Sequence, residues 1–438
     1  MINLDYSKVN TPINVNILEK YLDGYDQAKK TYILNGFREG FFLEYNGPRR
    51  AQSCPNLKSA LENPSCVQSK LEHEIMSGRI KGPYCTAPFV NLKLSPLGLV
   101  PKKTSGQFRL IHHLSYPKDG QTSVNSGIPP ENTSVHYAGI QEAIRCVKLC
   151  GIGSFIAKTD VQSAFRIIPI HPSDHSLLGF RWNEQYYFDT CLPMGCAASC
   201  KIFEAFSSAL EWIAINKLHC GHMVHILDDF LFVGLSEGIV HQNLLSFLQM
   251  CSYMGVPIAE DKTFYPDQIM TFVGIQINTI DSTASLPLDK INRTHSLLET
   301  YLQRSKCTLR ELHSLIGLLN FACSVISPGR PFLRRLINLT IGIRHPSHRI
   351  RLNRQVKADI NLWLHFIRNC NGITLFINET FLSSDTLKLY TDAAASLGFG
   401  AVYKNKWCYG KFPTFLNSYN IRILPNFVGT GIMGFSLV

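Results

Sequence analysis

The chain has 438 residues, of which 45% are hydrophobic and 17% charged; this composition excludes a disordered or collagen-like protein and is sufficient for several packed domains. Lysine and arginine number 43 against 32 aspartates and glutamates, and the net charge of +11 favours a polyanionic partner such as nucleic acid. The sequence has no run of 18 apolar residues and no signal-peptide pattern, so we expect an intracellular protein, cytoplasmic or nuclear, without a membrane partner.

Hydrophobic spacing predicts an α/β region flanked by helical segments. Residues 1–90 combine short helical patterns with Gly- and Pro-containing breaks, which indicates an irregular or helical extension. Between 91 and 280 the pattern predicts a strand at 154–159, a hairpin with arms 178–182 and 186–190, a helix at 197–218, a tight hairpin with arms 224–226 and 230–233, and a strand at 270–277. Helical spacing returns from 281, and strands reappear at 387–390, 398–403 and 406–409. We therefore place domain boundaries near residues 90, 280 and 380.

Three aspartates stand at the ends of these strands. Asp160 follows the strand at 154–159, and Asp228 and Asp229 lie at the turn of the tight hairpin. If the strands are adjacent, Asp160 and Asp228 lie side by side, and a divalent cation such as Mg²⁺ makes such a carboxylate pair tolerable. Two such ions about 4 Å apart serve nucleotidyl transfer. Taken singly, each piece is more typical of a solvated turn or a helix cap.

Short motifs surround these aspartates in a fixed order. They are Leu99-Val-Pro-Lys-Lys, Phe108-Arg-Leu-Ile-His-His-Leu-Ser, Ala157-Lys-Thr-Asp-Val-Gln-Ser-Ala-Phe, Leu192-Pro-Met-Gly, Ile226-Leu-Asp-Asp, Asp261-Lys-Thr and Phe272-Val-Gly-Ile. The set resembles the motifs of reverse transcriptases, in the order which that family uses. The resemblance covers roughly residues 90–280.

The resemblance implies an α+β fold of the right-hand polymerase type. Its parts are an N-terminal extension at 1–90, fingers and palm at 91–280, thumb and connection helices at 281–380, and an incomplete ribonuclease H-like α/β fragment at 385–438. The implied reaction is RNA-directed DNA polymerisation, in which a deoxynucleotide is transferred to a primer 3′-hydroxyl. The implied cofactors are two Mg²⁺ ions, with Mn²⁺ as a substitute. The implied partners are dNTPs and an RNA or DNA template with its primer, and the oligomeric state is left open.

Flanking segments resemble a narrower lineage, the DIRS-type retroelements, in which a tyrosine recombinase replaces the usual integrase. These segments are Gly47-Pro-Arg-Arg, Gly78-Arg-Ile-Lys-Gly-Pro, Ser95-Pro-Leu-Gly-Leu-Val-Pro-Lys-Lys and His112-His-Leu-Ser-Tyr-Pro. No recombinase segment is found in these 438 residues.

The matching motif positions imply the metal ligands and the triphosphate contacts. The ligands are the side chains of Asp160, Asp228 and Asp229 and the carbonyl of Val161. The bases that would neutralise the triphosphate are Lys102, Lys103 and Arg109, carried on a flexible fingers hairpin. Without the motif context, these bases would be interpreted as ordinary solvated side chains.

The resemblance assigns further roles around the nucleotide and the primer. Phe165 matches an aromatic gate against a 2′-hydroxyl, although a core aromatic is the simpler interpretation. Gly195 allows the backbone to approach the nucleotide or template closely. Lys262 matches a lysine proposed to protonate the pyrophosphate leaving group, with a plain surface lysine as the alternative. The segment Phe272, Val273 and Gly274 resembles the primer grip, a β-turn whose backbone positions the primer end.

Two positions depart from the family pattern. Ile226 stands where an aromatic residue is usual, and Met194 stands where many relatives have Phe or Gln. We therefore keep a second hypothesis, a decayed retroelement copy that binds nucleic acid without catalysis. A zinc site is disfavoured, because the candidate ligands have irregular spacing and no second cysteine pair: His219, Cys220, His222 and His225.

The C-terminal region carries one further carboxylate motif. The segment Leu389-Tyr-Thr-Asp-Ala-Ala-Ala-Ser-Leu-Gly-Phe-Gly-Ala-Val-Tyr resembles the first two strands of a ribonuclease H domain, with Asp392 as its first metal ligand. That domain needs about four carboxylates. No Asp or Glu follows Asp392 within the 438 residues, so we expect ribonuclease H activity to be lost.

A basic tract lies between residues 330 and 357, with eight lysines and arginines and no acidic residue. Such tracts are usually solvated surface. Because this one follows the thumb region, we expect about half of its bases to contact the primer–template backbone, with Arg349, Arg351 and Arg354 as candidates.

Overall fold

A computed structural model of the chain describes residues 9–102, 106–118, 122–375, 384–394, 398–403 and 406–411. Lys103 and the segment after residue 411 lie outside the described residues. The described residues form two compact units, one within Met1–Cys146 and Ser154–Asp267, the other within Val147–Gly153 and Gln268–Val438. The division at residue 267 is the one that the contacts give; the four-part division made from the sequence stays a prediction.

The α-helices, in chain order, are α1 (Val15–Tyr21), α2 (Gln27–Glu39), α3 (Lys58–Leu61), α4 (Pro64–Met76), α5 (Ile140–Cys150), α6 (Ser199–Asn216), α7 (Glu237–Met254), α8 (Leu288–Gln303), α9 (Leu309–Ala322), α10 (Arg334–Asn338), α11 (Arg354–Asn369) and α12 (Ser384–Leu387). None of the described helices is long and apolar enough to cross a lipid bilayer.

The strands of the first unit are β1 (Ile80–Tyr84), β2 (Leu97–Pro101), β3 (Phe108–His112), β4 (Phe155–Asp160), β5 (Gly179–Trp182), β6 (Gln185–Asp189), β7 (His222–Ile226), β8 (Asp229–Gly234) and β9 (Phe264–Asp267). Those of the second unit are β10 (Ile269–Phe272), β11 (Ile275–Asn278), β12 (Thr283–Ser285), β13 (Lys306–Thr308), β14 (Arg349–Arg351), β15 (Ile373–Thr374), β16 (Leu389–Ala394), β17 (Gly398–Tyr403) and β18 (Lys406–Gly410).

A four-stranded antiparallel sheet in the order β7-β8-β4-β9 is the framework of the first unit. Strand β8 is buried from Phe230 to its end, because its apolar residues pack beneath α7. Helix α7 fits this role: Ser236 caps its N-terminus by accepting a hydrogen bond from Ile239, and Gly255 ends it in the left-handed region. The strand predicted at 154–159, the helix predicted at 197–218 and the tight hairpin are confirmed as β4, α6 and β7–β8.

The residues before position 90 belong to the same core as this sheet. Phe37 of α2 packs edge-on against Phe206 of α6, with ring centroids 4.8 Å apart, and also against Phe41. Two further sheets complete the unit, the hairpin β2–β3 and the sheet β1-β6-β5. The hairpin predicted around residues 183–184 is confirmed, with both Asn183 and Glu184 at positive φ as a two-residue turn requires.

The second unit contains a sheet in the order β10-β11-β12-β15 and a set of helices in which α8 packs on α11. The single strand predicted at 270–277 is wrong, since β10 and β11 are two strands joined by a tight turn at Val273 and Gly274, with φ of 41° and 82°. The β-branched Val273 concealed this turn, because valine favours extended backbone. Helix α9 begins at Leu309, behind a capping box formed by Thr308 and Glu311.

The last described strands form an antiparallel sheet in the order β16-β17-β18. The three strands predicted after residue 387 are confirmed; the first begins at Leu389 and extends to Ala394. Asp392 lies opposite Gly400 on this sheet, and its side chain is exposed.

Candidate active site

Three carboxylates meet at one end of the central sheet. Asp160, the last residue of β4, lies directly opposite Asp229, the first residue of β8. Asp228 immediately precedes Asp229, in the two-residue turn between β7 and β8. The Asp228 carbonyl accepts a hydrogen bond of 2.9 Å from the Val161 backbone N–H. Asp160 is buried, whereas Asp228 and Asp229 are half-buried. The sheet register therefore brings together the side chains that the sequence places 68 positions apart.

Burial and the neighbouring carboxylate raise the pKa values of Asp228 and Asp229. Burial, followed by the neighbouring Asp160 carboxylate, raises the pKa of Asp228 to about 6. The same two causes, in the same order, raise the pKa of Asp229. Burial and like charge thus both disfavour the ionised forms of Asp228 and Asp229, and a nearby positive charge stabilises them.

Lys262 supplies part of that charge. Its Nζ lies 2.9 Å from one Asp160 carboxylate oxygen and 2.8 Å from the other. Burial lowers the pKa of Lys262, but the hydrogen bond to Asp160 and the charges of the aspartates outweigh it and raise the pKa. An ammonium ion thus stands beside the carboxylate that would bind a metal.

The donor chemistry of the cluster fits Mg²⁺. Carboxylate and carbonyl oxygens are the ligands that this ion prefers, and the aspartates carry the negative charge that it needs. Among the described residues, no three or more His, Cys, Asp and Glu side chains stand in a ready-made metal arrangement. Because Lys262 Nζ contacts both oxygens of Asp160, a metal ion bound there would share this carboxylate with the ammonium group or displace it.

The turn that carries Asp228 is strained. Leu227 has φ of 54°, a left-handed conformation that non-glycine residues seldom adopt. Ile226, which pairs with Asp229 across the hairpin, is only half-buried. Strain of this kind is typical of functional loops, where it fixes the direction of a side chain.

A cleft of about 830 Å³ opens over the carboxylates. Its lining includes several residues singled out from the sequence: Lys102, Arg109, Asp160, Val161, Phe165, Met194, Asp228 and Lys262. The described residues Asp229 and Gly195 are not part of this lining. The structure therefore brings two of the three predicted bases, Phe165 and two of the aspartates together around one cavity.

Phe165 and Gly195 have structural surroundings that bear on their predicted roles. Phe165 borders the cleft and also contacts Phe203 edge-on at 5.8 Å, so it lies between the cavity and the core. Gly195 has φ of 126°, and a Cβ there would collide with the carbonyl oxygen of His112. The close approach that Gly195 permits is thus to His112; its predicted contact with nucleotide or template stays a prediction.

In the second unit, the turn that resembles a primer grip is held in place by a lysine of α8. The Phe272 side chain is fully buried and is not available for contact with nucleic acid, whereas Val273 in the turn is half-buried. Lys290 donates a hydrogen bond of 2.9 Å to the Gly274 carbonyl and lies 4.2 Å from the Phe321 ring centroid. The primer-grip role of Phe272, Val273 and Gly274 stays a prediction.

The basic tract is largely surface. Arg349 and Arg351 are exposed on β14, on either side of the buried Ile350, and the exposed Arg354 begins α11. Strand pairing places Lys306 of β13 directly opposite Arg351, so two like charges face each other. We call the exposed Lys306, Arg349, Arg351 and Arg354 the basic ribbon face. Two other tract residues have internal partners: Arg335 pairs with Asp359, and Lys357 donates to the Leu302 carbonyl.

Two buried polar clusters of the first unit have no signal in the sequence. His225 of β7 lies 2.7 Å from Glu211 and 3.1 Å from Glu204, both on α6. Asp189, at the end of β6, binds both His112 and Arg166. His112 lies within one motif and Arg166 directly follows another, but the motifs assign a role to neither, because partners so far apart in the chain leave no local pattern.

No protein-family model matches the chain. Among curated proteins, it is 24% identical over 180 residues to the Pro-Pol polyprotein of feline foamy virus, covering 40% of this chain and 14% of that protein. It is also 24% identical over 289 residues to the Gag-Pro-Pol polyprotein of human T-cell leukemia virus 2, covering 62% and 18%. The chain thus spans less than a fifth of the length of either relative.

Solved structures of the foamy viral protease-reverse transcriptase share its fold. The structure described as dRH in complex with double-stranded DNA has a TM-score of 0.57 and 15% identity, over 99% of this chain and 75% of that one. A second double-stranded DNA complex has a TM-score of 0.57 and 16% identity, over 94% and 84%. A complex with an RNA/DNA hybrid has a TM-score of 0.56 and 14% identity, over 96% and 56%. The predicted fold class, a right-hand polymerase with a ribonuclease H-like part, is confirmed, and the chain is reverse transcriptase-like in fold.

Proposed function

We propose that this chain is an RNA-directed DNA polymerase that transfers deoxynucleotides from dNTPs to a primer 3′-hydroxyl. The observation that carries the proposal is the cleft in which Asp160 and Asp228 lie with Lys102 and Arg109. Carboxylates for metal ions and bases for a triphosphate are the two requirements of nucleotidyl transfer. The foamy viral neighbours, solved with double-stranded DNA and with an RNA/DNA hybrid, support nucleic acid as the partner.

Each side chain has a defined task in this proposal. The Asp160, Asp228 and Asp229 side chains and the Val161 carbonyl would hold two Mg²⁺ or Mn²⁺ ions, which would supply the positive charge that stabilises the attacking and leaving oxygens. Lys102 and Arg109, with Lys103, orient the triphosphate, and the planar Arg109 guanidinium allows a bidentate contact.

Phe165 excludes a 2′-hydroxyl from the nucleotide site. Lys262, once it has left Asp160, donates a proton from Nζ to the pyrophosphate leaving oxygen. Catalysis is then a matter of positioning and charge neutralisation, with no covalent intermediate on the protein.

We further propose a DIRS-type retroelement as the source lineage, on the segments around residues 47, 78, 95 and 112. Ribonuclease H activity is absent from these 438 residues in this proposal, because no Asp or Glu follows Asp392. An RNA–DNA hybrid incubated with the chain and Mg²⁺ should stay intact. Cleavage that disappears in Asp392→Asn would contradict this.

The second candidate is a nucleic-acid-binding protein without catalysis. Ile226, in place of the usual aromatic residue beside the catalytic turn, favours it. The two candidates differ in one measurable respect, nucleotide addition to a primer.

Primer extension on an RNA template tests the proposal. Wild-type protein should extend the primer in the presence of Mg²⁺, and Asp228→Asn should reduce extension by at least about 10³-fold, because a metal ligand is lost. Primer–template affinity should change little, because phosphate contacts lie elsewhere. The matched control is Asp267→Asn, an exposed aspartate at the other end of the same sheet, which should extend normally. Extension by Asp228→Asn at the wild-type rate rules out the metal assignment.

A further inference from the structure

A connected set of charged side chains lies against the cleft in the first unit. We call it the Asp189 network: Glu74, Arg79, His112, Arg166 and Asp189. One Asp189 carboxylate oxygen lies 2.9 Å from His112 Nδ1, and the other lies 2.7 Å from an Arg166 terminal nitrogen. Glu74 lies 2.9 Å from Arg166 Nε and 3.0 Å from Arg79 Nε. Four of the five members, all except Arg79, line the cleft.

The network is well buried. The side chains of His112, Asp189 and Arg166 are only 3%, 5% and 11% exposed. The Arg166 and His112 partners lower the pKa of Asp189, although burial opposes them. His112 Nε2 faces the Gly179 carbonyl at 3.1 Å while Nδ1 faces Asp189. Both groups that face the His112 ring are hydrogen-bond acceptors.

Arg166 and His112 also hold the loop that follows β6. Arg166 donates to the carbonyls of Cys191 and Leu192, at 3.3 Å and 3.2 Å. The His112 backbone N–H donates to the Met194 carbonyl at 3.1 Å, and the His112 carbonyl is the group against which Gly195 packs. The network therefore fixes the loop through residue 195 on two sides.

Three of the segments that the network joins carry a motif residue that lines the cleft. Strand β3 carries Arg109 three residues before His112, and the 3-10 helix Ala164–Ile167 carries Phe165 next to Arg166. Met194, in the loop, lines the cleft. Apolar side chains would stabilise the core equally well, because a buried ion pair seldom stabilises a protein more than apolar residues of similar volume do. A rigid polar network instead fixes relative positions.

We propose that Asp189 is a positioning residue for the incoming nucleotide. It holds His112 and Arg166 so that Arg109, Phe165 and the loop at Met194 keep the spacing that a dNTP requires. This inference rests on the proposed function. It concerns nucleotide affinity and selection rather than the chemical step, because none of the network residues binds Asp160 or Asp228 in the described contacts.

The experiment is single-nucleotide primer extension with Asp189→Asn, which keeps the shape of the side chain and removes its charge. KM for the complementary dNTP should rise roughly 10-fold or more, while kcat stays within about 3-fold, since misplacement of binding groups weakens capture of the substrate. Arg166→Lys keeps the charge but loses the planar fork, and should raise KM in the same way. Primer–template affinity should be unchanged in both variants.

Asp174→Asn is the matched control. Asp174 is equally buried, accepts hydrogen bonds from the Leu43 N–H and from Arg49, and is not part of the cleft lining among described residues. It should lower thermal stability without changing KM. If Asp189→Asn loses stability as the control does but keeps the wild-type KM, the network is purely structural and the inference fails.

Different results contradict the proposed polymerase function and the positioning role of Asp189. Wild-type protein that adds no nucleotide contradicts the proposed function, and the positioning role with it. Active wild-type protein with unaltered KM in both Asp189→Asn and Arg166→Lys contradicts the positioning role alone. Should Asp189→Asn not fold, Arg166→Lys decides the question by the same measurement.

Discussion

At the scale of single residues, some side chains line the cleft and others pack in the core behind it. Phe165 belongs to both groups, since one side of it faces the cavity and the other meets Phe203. An aromatic ring fixed in this way can form a wall, because packing against the core denies it other rotamers. Its sequence context could not distinguish a gate from a core residue; its location at the cleft permits the gate.

Phe165→Ala should therefore admit ribonucleotides. The expected result is a fall in discrimination between dNTP and rNTP of at least about 10-fold, measured as the ratio of kcat/KM values, because the wall against the 2′-hydroxyl is gone. Phe203→Leu is the control: it removes the buried packing partner and should lower stability with discrimination intact. Unchanged discrimination in Phe165→Ala would return Phe165 to the core.

At the scale of elements, β7 is attached to α6 by His225. Burial lowers the pKa of His225, but hydrogen bonds to Glu204 and Glu211 and their charges outweigh it and raise the pKa to about 9. The charged form is therefore favoured in the folded state. Because β7 leads into the turn that carries Asp228, this contact also supports the hairpin β7–β8.

The His225 contact should make stability depend on pH. A histidine whose folded pKa is about 9 and whose unfolded pKa is about 6.5 contributes stability that is complete below pH 6.5 and is lost as the pH rises through 9. His225→Gln should then reduce the free energy of unfolding by about 2–3 kcal/mol at pH 6 and by much less at pH 10. Urea titrations at both pH values measure it, with the exposed His222 on the same strand as the control site. An equal loss at both pH values would contradict the assignment.

In the second unit, the basic ribbon face lies on the strand pair β13–β14 and at the start of α11. Like charges placed opposite each other destabilise a strand pair, and a polyanion bound there relieves the repulsion. Replacing Arg349, Arg351 and Arg354 by Ala should weaken primer–template binding equally for unrelated sequences. The slope of log affinity against log salt should fall by about 2–3, at about 0.7–0.9 per lost phosphate contact.

A salt series on that triple variant decides the point. The control removes the same charge elsewhere, at the exposed Lys20, Lys29 and Lys58 of α1 to α3. A wild-type slope in the ribbon variant would mean that the tract is solvated surface.

At the scale of the whole molecule, the motifs predicted the strand pairing of the palm better than they predicted the residues that pack around it. The pairing of β4 with β7–β8, and hence the meeting of Asp160 and Asp228, followed from apolar arms around the aspartates. Local patterns fix such hairpins because turn and strand residues are adjacent in the chain.

Long-range packing was invisible in the sequence. Helix α2 contributes Phe37 to the palm core, although its segment was interpreted only as an extension. The contact between Asp189 and His112 joins residues 77 positions apart, and no periodicity encodes it. The turn at Val273 was missed because the local sequence favours a strand, whereas the glycine that follows allows a tight turn.

The most direct test of the account is single-nucleotide addition to a DNA primer on an RNA template, with each dNTP supplied separately. The account predicts that only the dNTP complementary to the template base is added, that addition needs Mg²⁺ or Mn²⁺, and that changing the template base changes the dNTP accordingly. Tight binding of the primer–template with no addition of any dNTP would contradict the central claim and leave a nucleic-acid-binding protein in its place.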